Sequence, residues 1–420
     1  MLSRNIPFTA AQARLLAVLA LINFVNFADR HVLNPLLPLL RHHFGLTDAQ
    51  LGWLPTGLLL VLALASIPFG YLADRFNEPK IIAAGVLFWS LATICSGLAP
   101  TYAFLLIARC LVGVGEAAYA PAAQSLISDS FSHDNRALAQ AIFASGMLLG
   151  GAAGLALGGI MGEHHGWQHA FIIVGAVGIL PGLSALRLKE PQRRPRSEVV
   201  AIKELLRVPA FLAMILAGTC VTFSSVSLVT WGVDYAMTYK DFSLREAALS
   251  LSVIALLALV LGALSGGYIA DRVQRRYPYG RIMVIAGAFL VGAPFLLLAI
   301  QSEEKWVVLM GFFVASYFMS WYHGPTTAVL HDLTPQRAHA TAIGVYMSAT
   351  QLLGALGPLM IGRISDASDL QMGLQAATAV MVFGSLLLLL VIYFVRRDGL
   401  HHPRLAAFRA ENEVATHVSS

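Results

Sequence analysis

The hexapeptide Gly-Tyr-Leu-Ala-Asp-Arg at Gly70–Arg75 returns as Gly-Tyr-Ile-Ala-Asp-Arg at Gly267–Arg272, 197 residues later in a chain of 420. A second echo follows in each half, Arg136-Ala-Leu-Ala-Gln-Ala and Arg337-Ala-His-Ala-Thr-Ala, 201 residues apart. Two echoes at nearly one offset mean a half-length unit written twice. Each hexapeptide closes a long apolar run with charge, so the repeated unit is a set of membrane helices. Many secondary transporters are built from such doubled membrane units.

Composition agrees. Apolar residues make up 57% of the chain and charged residues 12%, with a mean hydropathy of +0.70, whereas a soluble domain carries roughly 25% charged residues. At about 20 residues per span, the apolar runs predict twelve transmembrane helices. The first six lie near 15–40, 49–72, 80–98, 101–127, 137–162 and 166–187. The second six lie near 208–232, 243–269, 280–300, 305–329, 338–362 and 372–395. The expected domains are a six-helix bundle at 1–187, a basic linker at 188–207, a second six-helix bundle at 208–396 and a tail at 397–420. The apolar run after Arg14 is too long for a cleavable leader. Cys95, Cys110 and Cys220 lie inside apolar runs, so no disulfide framework is expected.

Positive charge sets the orientation. With the N-terminus inside, 21 Lys and Arg fall in cytoplasmic segments. Five fall on the other side (Arg41, Lys240, Arg245, Lys305 and Arg363), and Arg30 and Arg109 remain within spans. Both termini are therefore expected in the cytoplasm of a multi-pass protein of the plasma (inner) membrane. The net charge of +5 is a topology signal and gives no support to nucleic-acid binding.

Asp29 and Arg30 fall near the middle of the first span, and Glu116 near the middle of the fourth. A central charge costs roughly 2.5 to 3.5 kcal/mol on insertion scales, so these groups must face a wet cavity or one another. Asn23, Asn26, Arg30 and Asn34 recur at helical spacing and form one polar stripe. Arg109 and Glu116 are two turns apart on one face, with Tyr119 one turn beyond. One reading is a static ion pair pinning two helices. The sharper reading is proton coupling: Asp29 and Glu116 take up and release the proton, while Arg30 exchanges between them and an anionic substrate group. Aligning Pro121 with Pro325 places Ser320 where Glu116 stands, so the second half has no acid at that depth. It offers instead a polar stripe of Ser316, Ser320, His323 and Thr327, flanked by Tyr317, Trp321 and Tyr322.

These residues resemble a known family. Gly70–Arg75 followed by Lys80, and Gly267–Arg276, look like the loop signatures of the major facilitator superfamily. The resemblance narrows at Asn23–Arg30, at Phe88-Trp89-Ser90, and at Arg109-x3-Gly-Val-Gly-Glu-Ala-Ala-Tyr119-x-Pro121 continuing through Ser125-Leu-Ile-x-Asp129-x-Phe131. This combination is similar to the spinster-like transporters, whose members move lysophospholipids and phosphorylated sphingoid bases. The resemblance implies a conformational latch: Asp74 by the start of the eleventh helix, where the helix dipole favours an acid, and Arg75 near Asp129. Arg136 and, in the other half, Asp271, Arg272, Asp332 and Arg337 complete it. Asn77-Glu78-Pro79 departs from the family's basic continuation and implies a weaker first latch.

Gly146, Gly150, Gly154 and Gly158 recur every four residues along the fifth span, a stripe that allows close helix approach. His43-x4-Asp48 matches a lipid acyltransferase spacing, but no soluble domain accompanies it. His164, His165 and His169 lack the Cys or carboxylates of a metal site, and no phosphate-cradling Gly-x4-Gly-Lys-Ser/Thr motif is present.

The chain is thus expected to be an all-α membrane protein of two pseudo-symmetric six-helix bundles, a monomer without cofactor or metal and not an enzyme. It is expected to move a small amphipathic, anionic or zwitterionic lipid-like substrate by alternating access, coupled to protons. Arg30 is the candidate for the head group, with Asn23, Asn26, Arg109, Tyr119, Ser320, His323 and Tyr346 around it. A proton symporter for small organic or sugar acids is the nearest alternative, and a membrane-embedded lipid acyltransferase the alternative of another class.

Overall fold

The computed structural model describes residues 8–190, 202–334 and 338–397. Arg337, most of the 188–207 linker and the tail beyond 397 lie outside the described residues, as does the side chain of Asp74. The described chain is helical throughout. The first half runs α1 (Ala10–Val32), a 3₁₀ turn (Asn34–Leu36), α2 (Leu37–Phe44), α3 (Asp48–Arg75), α4 (Glu78–Gly97), α5 (Tyr102–Ser130), α6 (His133–His165) and α7 (Trp167–Ala185). The short α8 (Ile202–Leu206) precedes α9 (Pro209–Tyr239), α10 (Leu244–Arg276), α11 (Gly280–Gln301) and α12 (Lys305–Met319). A second 3₁₀ turn (Ser320–Tyr322) leads to α13 (His323–Leu333), α14 (His339–Gly354), α15 (Gly357–Ala367) and α16 (Leu370–Arg397).

Eleven segments among the described residues are long and apolar enough to cross a membrane. The twelfth apolar run, Lys305 to Leu333, is split by the 3₁₀ turn into α12 and α13. Its cause is local: the ring of Pro325 clashes with the carbonyl four residues back, at Trp321, and cannot donate to it. Pro35 interrupts the first span in the same way, ending α1 at Val32. Pro121, by contrast, is accommodated inside an unbroken α5.

Helices outrun the apolar segments because polar caps, invisible to hydropathy, set their ends. Thr9 and Thr47 accept hydrogen bonds from the backbone of Gln12 and Gln50 in complete capping boxes, and Thr101 caps α5 through Phe104. Each such cap supplies an acceptor to an otherwise orphaned N–H. α2 stops at Gly45, whose φ of 64° is left-handed and free of Cβ strain.

The chain divides into two compact units. One comprises Met1–Pro195, Ser227–Leu256 and Pro358–Leu370; the other comprises Arg196–Val226, Leu257–Gly357 and Gln371–Ser420. In the first, the glycine stripe of α6 meets α1 residue by residue. A Cβ at Gly146, Gly150 or Gly154 would strike the carbonyl of Ala20, Phe24 or Ala28. Both series advance by four, so the two backbones are in contact over two turns or more. Gly85 and Gly115 likewise bring α4 and α5 together beside Trp89. In the second unit, Gly262 and Gly266 of α10 face the Tyr317 carbonyl and the Trp321 ring. Large apolar side chains such as Leu64, Leu180 and Leu264 stand exposed, as a hydrocarbon surrounding requires of spanning helices.

Candidate functional site

Four charges from two helices meet inside the first unit. Asp29 and Arg30 are neighbours on α1, and Arg109 and Glu116 lie two turns apart on α5. The structure sorts them into two pairs. Arg109 Nη1 donates to Asp29 Oδ1 at 2.8 Å, and its Nη2 reaches the Asp29 carbonyl at 3.3 Å. Arg30 Nε donates to Glu116 Oε2 at 2.7 Å. Consecutive residues on a helix point about 100° apart, so one α1 turn can serve two partners at different heights on α5.

The two pairs have different surroundings. The Arg109 and Asp29 side chains are 0% and 1% exposed. Thr93 of α4 donates its hydroxyl to the second Asp29 oxygen, and Arg109 also lies over the Phe171 ring of α7. Asp29 therefore has both oxygens engaged by fixed groups from two helices, α4 and α5. Glu116 is equally buried, but its Oε1 has no hydrogen-bond partner among the described residues. Arg30 is 17% exposed and spends only Nε on Glu116, which leaves both Nη groups without a hydrogen bond among the described residues. Its guanidinium rests on Phe27 at 4.9 Å.

The other first-half candidates are partly committed elsewhere. Asn23 donates to the Phe143 carbonyl of α6 at 2.8 Å, and Tyr119 to the Leu19 carbonyl of α1 at 3.0 Å. Asn26 is buried with its amide nitrogen unpartnered. Asn34 falls in the 3₁₀ turn and so leaves the helical stripe.

In the second unit, the 3₁₀ turn occupies the depth of Glu116's counterpart. Ser320 donates to the Ser316 carbonyl of α12. The hydroxyls of Tyr322 and Tyr346 are hydrogen-bonded to each other, in a space that Gly218 leaves open. His323 is exposed.

A model of the Major Facilitator Superfamily matches residues 19–358 and 276–418. Protein spinster homolog 1 of Bos taurus is 30% identical over 387 residues, covering 84% of this chain and 73% of its own length. The chain belongs to the spinster-like branch of the major facilitator superfamily. An MFS-type efflux pump of Mycolicibacterium smegmatis is 29% identical over 383 residues, 89% of this chain and 88% of the pump. The sphingosine-1-phosphate transporter SPNS2 of Danio rerio is 27% identical over 387 residues, 83% of this chain and 75% of its own. A crystal structure of a bacterial homologue of the human lysosomal transporter Spinster, inward-facing and occupied, superposes with a TM-score of 0.83. It covers 93% of this chain and 99% of that chain at 24% identity, and it shares the fold.

The described residues of this spinster-like chain that were expected to form a latch make local contacts. Arg75 is exposed and makes no ion pair among the described residues. Asp129 is half-buried, and Arg136 donates to the Ser128 carbonyl at 2.9 Å. In the second half, Asp271 and Asp332 share one cation, Arg281 of α11, at 2.8 and 2.9 Å, while Arg272 donates to the Tyr268 hydroxyl at 3.3 Å. Arg281 escaped the sequence reading, although it opens its helix much as Lys80 opens α4. Thr93 also escaped it, since a lone threonine in an apolar run carries no signal. So did the role of Asp48. Its carboxylate is held by Arg41 and Ser365, while the His43 ring packs on Trp167.

Proposed function

We propose that this spinster-like transporter moves an amphipathic, anionic or zwitterionic lipid-like substrate by alternating access, coupled to protons through the Arg30–Glu116 pair. One observation carries the reading. Arg30 holds Glu116 through Nε alone and keeps its two Nη groups, the fork that suits a carboxylate or phosphate, free of other hydrogen bonds. An anionic head group on Arg30 draws the guanidinium away from Glu116. Glu116 is then a buried carboxylate without its cation, and protonation relieves that cost. Cargo binding and protonation therefore favour each other, and the linkage is reciprocal.

Asp29 plays a different part. With Arg109 and Thr93 on its oxygens it anchors α1 to α4 and α5. That the cargo is lipid-like rests on kinship with relatives such as the sphingosine-1-phosphate transporter. The distribution of Lys and Arg supports cytoplasmic termini, and the kinship with transporters supports a role without chemical turnover of the cargo.

The test is internal pH in proteoliposomes as a lysophospholipid, a phosphorylated sphingoid base and a sugar acid are added in turn. A proton flux with the lipids, lost in Glu116→Gln while cargo binding persists, and loss of binding in Arg30→Ala, are the expected results. Flux with the sugar acid alone would replace the lipid reading. Cargo movement with no proton flux would remove the coupling.

A further inference from the structure

A second cluster of charges lies in the first unit and is used by no step above. Arg41 of α2 is shared between two acids. It reaches Asp48 of α3 through Nε at 2.9 Å and Nη2 at 2.6 Å, and Asp234 of α9 through Nη1 at 3.0 Å and Nη2 at 2.5 Å. Asp234 is the buried member: its side chain is 0% exposed, against 17% for Asp48 and 30% for Arg41. Thr238, one turn along α9, donates to Asp234 Oδ1 at 3.2 Å. Ser365 of α15 donates to the other oxygen of Asp48 at 2.5 Å. Asp366 accepts from the backbone of Asp48 and Ala49 at 2.7 and 3.0 Å, at the start of α3. Arg41 and Asp48 are the charged groups that act on Asp234. Lys240, the other cation near this end of α9, lies over the Tyr235 ring.

The cluster crosses from one half of the sequence to the other. Arg41 and Asp48 are seven residues apart in the first half, while Asp234 belongs to the second. An alternating-access cycle has to part the halves at this end. When α9 withdraws, Arg41 retains Asp48, so the cation is never left alone. Asp234 keeps the Thr238 hydroxyl but has no second cation among the described residues. A buried carboxylate stripped of its cation is strongly disfavoured, and hydration or a proton must take the cation's place.

We propose that Asp234 is a second proton-exchange site, which gains a proton from solvent as it parts from Arg41 and returns it when the pair re-forms. The step is a simple protonation: water-borne H⁺ adds to the carboxylate, and the neutral carboxyl loses it again to solvent. The proposal rests on the proton-coupled reading above but uses a different acid at a different place. Its sign follows from linkage. The parted form binds one proton more than the clasped form, so acid favours parting, by up to about tenfold in the equilibrium per pH unit for one site.

The test uses the full chain with Cys95, Cys110 and Cys220 replaced by serine. Spin labels are placed on His42→Cys of α2 and Arg245→Cys of α10, both exposed positions. Double electron–electron resonance in nanodiscs then reads the label distance at about pH 8 and about pH 5, a span over which one site moves the ratio by up to about a thousandfold. The long-distance population is expected to grow with acid in the parent and to be high at both pH values in Asp234→Asn. In Asp48→Asn, where Arg41 has no acid to fall back on, it is expected to drop below the parent's. This second variant reports even if Asp234→Asn does not fold. A pH response that survives in Asp234→Asn overturns the proposal, as does an Asp48→Asn that parts more readily than the parent. If that surviving response vanishes in Glu116→Gln, the coupling reading stands and Asp234 is only a structural partner. If Asp234→Asn abolishes the response while Glu116→Gln transports protons normally, the coupling reading fails and the Asp234 site stands.

Discussion

At the scale of single residues, two ion pairs of similar length have different consequences. Arg109 and Asp29 are sealed, so removing one partner leaves the other buried without its counter-charge, at a cost of about 3–5 kcal/mol. Arg109→Ala is therefore expected to yield little folded protein, whereas Arg30→Ala, at a partly exposed position, is expected to fold and to fail in cargo binding. Fluorescence-detected size-exclusion profiles of the two variants separate them, and equal profiles would mean that burial does not distinguish the pairs. Thr93 gives a finer test. Its hydroxyl donates to a charged acceptor, an interaction worth about 1.5–3 kcal/mol. Thr93→Val is expected to lower the thermal midpoint in detergent, and Thr93→Ser to restore it. Equal midpoints for Thr93→Val and the parent would show that the hydroxyl does not hold Asp29.

At the scale of helices, the α1–α6 contact depends on glycine at some positions and not at others. A Cβ at Gly150 would collide with the backbone of Phe24, which cannot move aside independently, whereas a Cβ at the adjacent Gly151 would sit 3.7 Å from the His31 ring, an ordinary contact. Gly150→Ala is expected to destabilise by about 1–3 kcal/mol, the usual cost of overpacking. Gly151→Ala is expected to be neutral or slightly stabilising, since alanine favours the helix. Thermal unfolding of both variants decides the matter, and equal losses would show that the stripe is not in register with α1. This stripe, the hexapeptide echoes and the apolar runs were legible because each is a period along one helix. The partners were not legible. Spacing says that Arg109 and Glu116 share a face of α5, but the rotation of α1 decides that Arg109 takes Asp29 and Arg30 takes Glu116. The same limit hid Arg41–Asp234, whose members lie 193 residues apart with no common motif. The break at Ser320–Tyr322 was hidden for another reason: Pro325 disrupts its helix whereas Pro121, its counterpart in the other half, does not.

At the scale of the whole molecule, the covalent linker is one of several ties between the halves of the sequence. Within the first compact unit, first-half residues meet second-half residues through Arg41–Asp234, Ser365–Asp48 and the Asp366 cap on α3. The Arg245 backbone also donates to Glu163 at 2.7 Å. Between these polar ties the helices pack closely, with Gly362 against the Asp48 carbonyl, Gly52 against that of Pro358, and Gly159 against the Ala248 methyl group. A covalent linker raises the effective concentration of its two ends, but it creates none of these contacts. Confinement to one bilayer already brings two membrane fragments together and limits their orientations. A chain expressed as separate fragments, 1–195 and 196–420, is therefore expected to copurify through a tag on one fragment and to retain cargo transport. Gly362→Leu, which drives a side chain into the backbone at Asp48, is expected to reduce recovery of the untagged fragment severalfold while leaving each fragment's membrane insertion intact. Fragments that insert but do not copurify would show that the linker supplies the association. Copurifying fragments that no longer transport would show instead that it times the motion of the halves.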